Sequence, residues 1–340
     1  MKTFIVTGGG TGGHLAIARA LAAAIKARGD RAVFIGSTAG QDRRWFDGTP
    51  DFDRTFFLST TGVVNRRGWR KAAALWRVAA AAVSARAILR ESGACGVISV
   101  GGFSAAPAAF AAVMSGVPLF IHEQNAVAGR LNRLLRPRAR LFFSAYDDAS
   151  PVKDYPVAKR LFDTARLRTK VETVIFLGGS QGARAINAFA LEAAPMLRER
   201  GISIIHQCGE AALEATQAAY EALGIDAEVY GFTDDLPALL ERADTAVSRA
   251  GASTLWELAA NGLPTLFVPY PYAAGDHQYY NAQHLAEHGL GAVVREEALT
   301  LSALETFLDG GIETMSRGLM ALGGDDAAAR IVETIAKECR

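Results

Sequence analysis

Cysteine is scarce in this chain and never paired. Cys95, Cys208 and Cys339 are its three cysteines in 340 residues, odd in number, far apart and without a CxxC pair. That pattern excludes a disulfide framework and fits a reducing compartment. His277, His284 and His288 are irregularly spaced, with no cysteine or carboxylate completing a zinc set. Asp51-Phe52-Asp53 matches a DxD metal motif but falls in a loop away from the glycine loops, so it reads as incidental. No GxxxxGK[ST] loop, no GxSxG elbow and no RNA-binding aromatic signature is present. No apolar run is long and uncharged enough to span a bilayer. The amino terminus, Met1 to Val6, runs straight into a strand and a glycine loop rather than the longer apolar region of a signal peptide.

What is present is apolar and divided in charge. Half of the residues are hydrophobic and the length favours two domains, each able to bury a core. The net charge of +1 hides an asymmetry: up to Val157 there are 21 Lys plus Arg against 10 Asp plus Glu, and beyond it 15 against 25. A basic half suits an anionic lipid surface, a diphosphate or nucleic acid; genome composition bias produces the same excess of arginine.

The pattern along the chain is α/β. Thr3 to Thr7 reads as a strand, Gly8-Gly9-Gly10-Thr11-Gly12-Gly13-His14 as a loop, Leu15 to Arg28 as a helix and Ala32 to Gly36 as the next strand. Gly8, Gly10 and Gly13 satisfy GxGxxG, but Gly36-Ser37 stands where a nicotinamide enzyme carries an acid for the ribose. A loop able to wrap an anion with backbone amides remains. His14, at its exit, is a candidate general base or a histidine that merely hydrogen-bonds the loop. Arg66 to Leu89 is helical from about Trp69, and sets Arg66, Arg67, Arg70, Lys71 and Arg77 beside Trp69, Leu75 and Trp76. Basic residues beside tryptophan favour a membrane interface over a core helix with a solvated end. A second glycine loop, Gly101 to Pro107, and a polar strand end, His122 to Arg130, follow.

Asp147-Asp148, Pro151 and Pro156 mark a linker, after which the rhythm restarts: a strand from Val171 to Leu177, the loop Gly178 to Arg184, strands at Ile202 to Cys208 and Ala227 to Tyr230, and a loop through Phe232 and Thr233. From Ser248 a strand end turns through Arg249 to Ser253 into a helix with Ser253 or Thr254 at its start and Glu257 in its first turn. Gly262-Leu263-Pro264 stops it, Thr265 to Pro269 is a buried strand, and a polar loop carries His277, Gln278 and Asn281. Unpartnered helix-start amides suit a phosphate, Glu257 suits sugar hydroxyls and Gln278 a hexose. An ordinary strand–turn–helix unit with a capping glutamate satisfies the same spacing. The last helix, Asp325 to Lys337, has no strand partner.

Five segments in order, GGGTGGH, GGFSAAP, HEQNAVAGRLNR, GGSQGAR and the run from Ser248 to Ala282, resemble the MurG family of bacterial peptidoglycan glycosyltransferases over nearly the whole chain. The resemblance implies a GT-B α/β fold of two Rossmann-like, doubly wound parallel-sheet domains facing a cleft. Residues 1–157 would be the acceptor and membrane-facing domain, with the helix at about 325–340 packing back on it; residues 158–324 would bind UDP-GlcNAc. It implies an inverting transfer of N-acetylglucosamine to the C4 hydroxyl of lipid-linked N-acetylmuramic acid (lipid I), without metal or cofactor. The enzyme would sit peripherally on the cytoplasmic face of the inner membrane, on an anionic lipid surface. It would serve peptidoglycan synthesis, cell shape and division beside other cell-wall proteins, with no nucleic-acid partner.

Residue by residue, the resemblance makes Thr11, Gly12 and Gly13 the acceptor-side loop, His14 the base, and Asn125 a contact to the donor sugar across the cleft. Ser180 would meet the UDP phosphates and Phe232 and Thr233 the uracil. Ala252, Ser253, Thr254, Leu255, Trp256 and Glu257 would meet phosphate, sugar and ribose, with Glu257 on the ribose hydroxyls, and Gln278 the N-acetylglucosamine. Phe103 replaces a common family tyrosine. Ala158 replaces a common arginine, with Lys159 and Arg160 beside it. A UDP-GlcNAc 2-epimerase of the same fold would need carboxylates around the sugar, where Glu257 and Glu123 are evident. A non-catalytic nucleotide-sugar-binding protein is the other alternative.

Overall fold

The computed structural model describes residues 1–62, 68–179 and 182–339, with the side chains of residues 70 and 71 excepted. The chain divides into two compact units, residues 1–157 with 324–340, and residues 158–323.

In the first unit the continuous apolar runs form strands of a parallel sheet, with β1, β2 and β5 buried on both faces and the edge strand β3 partly exposed. They are β1 (Thr3–Thr7), β2 (Arg31–Ser37), β3 (Arg54–Leu58), β4 (Ala94–Ser99), β5 (Leu119–Glu123) and β6 (Leu141–Ser144). The intervening helices are α1 (Gly12–Ala27), α2 (Asp42–Phe46), α3 (Trp69–Glu91), α4 (Ala106–Ser115) and α5 (Arg130–Leu135). All strand pairs are parallel, in the order β3-β2-β1-β4-β5-β6. The order reverses between β1 and β4, so the loops after these strands diverge and leave a crevice at their carboxyl ends, where such sheets bind ligands.

The second unit repeats the plan. It holds α6 (Lys159–Asp163), β7 (Thr173–Leu177), α7 (Arg184–Glu199), β8 (Ser203–Gln207), α8 (Leu213–Ala222), β9 (Ala227–Tyr230) and α9 (Leu236–Arg242). It continues through β10 (Thr245–Ser248), α10 (Ala252–Ala260), β11 (Thr265–Phe267), α11 (His277–Ala286), β12 (Ala292–Val293), α12 (Leu301–Leu308) and α13 (Ile312–Ala321). The parallel order is β12-β11-β10-β7-β8-β9, with the reversal between β7 and β10. Its core runs through Phe176, Ile186, Leu197, Val247 and Phe307. The chain then returns to the first unit as α14 (Ala327–Glu338), which packs on α1 through a buried face of Ile331, Val332 and Ile335.

Several expectations shift. The first helix begins at Gly12, inside the glycine loop, with Thr11 at its N-cap. The chain from Arg54 to Leu58 was not anticipated as a strand and pairs with β2. Asp51 and Asp53 are structural: Asp51 pairs with Arg19 at 3.2 Å, and Asp53 accepts a bond from Ala32 N at 2.8 Å. By length and composition residues 72–91 of α3 can cross a membrane, against the reading that no run qualifies. Yet Ala74, Val78, Ala85 and Leu89 are buried, which makes one face of α3 part of the core.

Candidate active site

At the crevice of the first unit the glycine loop is held by the protein's own groups. Gly9 N donates to Gly101 O at 3.2 Å, and Gly10 N donates to Asp42 Oδ1 at 2.6 Å. The second oxygen of Asp42 accepts Ser37 N at 2.8 Å. Asp42 is fully buried, and desolvation raises its carboxyl above the usual range against these bonds. The approach is close enough to demand glycine: a Cβ on Gly9 would lie 2.5 Å from Asp42 Oδ1, and one on Gly102 would lie 2.2 Å from Gly9 O. The amides of Gly9 and Gly10 are therefore occupied. This narrows the expectation of a loop able to wrap an anion with its backbone amides, since two of those amides bind within the protein.

Thr11 is exposed and His14 half-buried, with Thr11 Oγ1 and His14 Nδ1 2.8 Å apart. The His14 ring reaches the floor of the second glycine loop, where a Cβ on Gly101 would lie 3.5 Å from Nε2 and 3.2 Å from Asn132 Nδ2. Glu123 is not placed for acid–base work. Its carboxylate accepts Asn125 N at 3.0 Å, Gly129 N at 2.9 Å and Asn132 Nδ2 at 2.9 Å, and so shapes the loop that presents the half-buried Asn125. His122 is buried, with Nδ1 lacking a protein partner. Desolvation, then the charge of His14, lower its pKa to about 3, so it is neutral near pH 7. Asn132 was not singled out from sequence; its nine-residue spacing from Glu123 across a turn was the available signal.

In the second unit, α10 starts at Ala252, with Gly251 at its N-cap, ahead of the expected Ser253 or Thr254. Glu257 therefore stands in the second turn rather than the first. It is half-buried, and desolvation pushes its carboxyl up to about 7. Residues 252–254 supply the helix-start amides, aimed out of the amino end of α10 beside the strand reversal. Gln278 and Asn281 lie on α11, not in a loop. Asn281 Nδ2 donates to Ala250 O at 3.2 Å, and Trp256 and His284 bring their rings to 6.3 Å, so α11 is fastened to the start of α10. Gln278 Oε1 accepts Tyr270 N at 2.9 Å, which orients its amide. Thr233 Oγ1 accepts Asp235 N at 3.0 Å beside an exposed Phe232, and Arg160 meets Asp235 at 2.9 Å. Ser180 lies outside the described residues.

Two buried groups missed by sequence reasoning support this site. Arg168, fully buried, donates to Asn261 O, to Asn261 Oδ1 at 2.6 Å and to Leu240 O at 2.9 Å, so its charge sits at the carboxyl ends of α9 and α10. Burial lowers its pKa to about 9. His206 bonds Tyr220 Oη at 3.0 Å and Asn187 Oδ1 at 3.1 Å, and Asn187 Nδ2 donates to Cys208 O at 2.9 Å, where a Cβ on Gly182 would lie 2.6 Å away.

Comparison with known proteins follows this division. Residues 4–143 match the glycosyltransferase family 28 N-terminal domain, and residues 173–318 the glycosyltransferase family 28 C-terminal domain. A relative from Sulfurovum sp. is 52% identical over 333 residues, 98% of each chain; one from Sulfurimonas denitrificans is 52% identical over 97% of each. Both are named UDP-N-acetylglucosamine--N-acetylmuramyl-(pentapeptide) pyrophosphoryl-undecaprenol N-acetylglucosamine transferase. The crystal structure of MurG from Acinetobacter baumannii aligns with a TM-score of 0.81 at 27% identity, over 99% of this chain and 100% of that one. A putative UDP-N-acetylglucosamine 2-epimerase from Listeria monocytogenes aligns at 0.69 with 13% identity, over 99% and 96%, which shows a shared fold alone. With two parallel Rossmann-like domains of the GT-B type, each matched by its own domain description, the chain belongs to glycosyltransferase family 28.

Proposed function

We propose that the chain transfers N-acetylglucosamine from UDP-N-acetylglucosamine to the C4 hydroxyl of undecaprenyl-pyrophosphoryl-MurNAc-pentapeptide, with inversion. The observation that carries this reading is 52% identity, over 98% of both chains, to a transferase named for those substrates.

The second unit takes the donor. The amino end of α10, Ala252 to Trp256, meets the diphosphate, with Ser180 assigned there by its motif. Glu257 takes the ribose hydroxyls, Phe232 and Thr233 the uracil, and Gln278 the sugar. Charge on the departing UDP falls on these amide dipoles, so the step needs no metal. The first unit takes the acceptor at Thr11, Gly12 and Gly13, and Asn125 contacts the sugar. With His14 Nδ1–H donated to Thr11 Oγ1, the lone pair at Nε2 takes the proton of the acceptor hydroxyl as its oxygen attacks the anomeric carbon. Trp69, Leu75, Trp76 and Val83 of α3 are 76%, 52%, 75% and 67% exposed, with Arg77 also exposed among them. That surface suits peripheral docking on an anionic membrane, where the acceptor's lipid is anchored.

The test is transfer of labelled N-acetylglucosamine from UDP-N-acetylglucosamine to a lipid I analogue in the presence of EDTA. Product supports donor, acceptor and metal independence together. Donor binding without product, with ManNAc or UDP released in the absence of acceptor, overturns the reading in favour of an epimerase.

A further inference from the structure

Asp42 is the one fully buried carboxylate among the described residues of the first unit, and it has no part in the chemistry above. It opens α2, a short helix that borders the crevice. Its two oxygens accept from two separate segments. Oδ1 takes Gly10 N from the loop after β1, and Oδ2 takes Ser37 N from the carboxyl end of β2. The linkage extends one strand further, since Ser37 Oγ donates to Thr60 O after β3 at 3.0 Å. The fit leaves no slack: a Cβ on Gly36 would lie 2.9 Å from Oδ2, as one on Gly9 would lie 2.5 Å from Oδ1.

We infer that Asp42 is a positioning residue for acceptor binding and turnover: its carboxylate fixes Gly10, and through Gly10 the place of Thr11 and His14. The inference rests on the reading of residues 11–14 as the acceptor side. Gly10 has φ +88 and is followed directly by Thr11, the N-cap of α1, so the set of Gly10 decides where the Thr11 hydroxyl and the ring bonded to it stand. A side chain that holds a reactive group without touching substrate affects rate through geometry, where a displacement of about 1 Å can cost on the order of a hundredfold. A neutral amide of the same shape cannot do the same. Its oxygen accepts one N–H, while its NH2 faces the other as donor against donor.

The test is Asp42→Asn in the full chain. The expected result is a kcat lowered about tenfold or more, and a raised KM for the lipid-linked acceptor, with UDP affinity by calorimetry within twofold of the native protein. A merely structural role would lower the amount of folded protein and leave both constants of the folded fraction alone. Unchanged kcat and acceptor KM overturn the inference. His14→Ala, measured in parallel, separates this from the underlying reading. Loss in Asp42→Asn without loss in His14→Ala removes His14 as base but keeps Asp42 as the positioning group. Loss in His14→Ala alone overturns Asp42. Should Asp42→Asn not fold, hydrogen exchange at Gly10 in the native chain decides. Slow exchange despite its place in a loop supports the bond to a buried carboxylate, and exchange as fast as an exposed loop amide overturns it.

Discussion

The two units share one topology and offer ligands opposite things. In each, six parallel strands reverse order beside the first strand, and glycine-rich loops leave the reversal. In the first unit Gly9 and Gly10 turn their amides inward, to Gly101 O and Asp42, and the loop presents side chains: Thr11, His14 and, from its own loop, Asn125. In the second unit α10 presents its amino end beside a desolvated carboxyl, Glu257. On the proposed reading, one crevice serves a proton transfer and the other an anion. A fold fixes where a ligand goes; the partners of a few amides fix which kind it is.

The largest blow to that comparison would come from His14→Ala. Loss of a general base predicts a kcat lower by about a hundredfold to ten-thousandfold, with UDP binding unchanged. A kcat within threefold of native would leave the first crevice without its assigned chemistry. Next in size is Glu257→Ala, which should raise the donor KM about tenfold or more, through hydrogen bonds to a charged acceptor. An unaltered donor KM, measured by initial rates, would remove the ribose assignment.

Glu257 also sharpens the comparison through pH. Its carboxyl lies at about 7 in the folded protein against an ordinary 4.5. The folded state therefore holds a proton that the unfolded state has lost between those values, and this group makes stability fall as pH rises from about 4.5 to 7. Ribose hydroxyls that donate to the carboxylate favour its ionised form. UDP binding at pH 6 should then release up to about one proton, seen as a dependence of binding heat on the ionisation enthalpy of the buffer. No buffer dependence would mean that the hydroxyls bond elsewhere. The smallest effect is expected from Trp76→Ser on α3: several-fold weaker binding to vesicles containing anionic lipid, with transfer to a water-soluble acceptor unchanged.

Much of this was legible in the chain because it is local. The glycine loops and the alternation of apolar runs with helical spacing locate both reversals, and Ala227 to Tyr230 is a strand at the residues the pattern indicated. Helix starts were less legible. Glycines inside a helix argue against it, yet Gly12 and Gly13 form the first turn of α1, and Gly251, with extended backbone, moves the start of α10 ahead of Ser253. His277, Gln278 and Asn281 read as members of a polar loop, but Asp276, in the left-handed region at φ +54, turns the chain into α11. Least legible were contacts across long separations. Asp42 meets Gly10 across 32 residues, and Arg168 meets Asn261 across 93, and neither pairing leaves a mark on periodicity or spacing.

The last helix carries a consequence for the order in which the protein is built. Because α14 belongs to the first unit, residues 158–323 are in effect an insertion within it. During synthesis the sheet from β1 to β6 leaves the ribosome first, but the helix that covers α1 emerges after the whole second unit has been made. The second unit can close its core while the first still lacks a wall, so the part begun earliest is completed last.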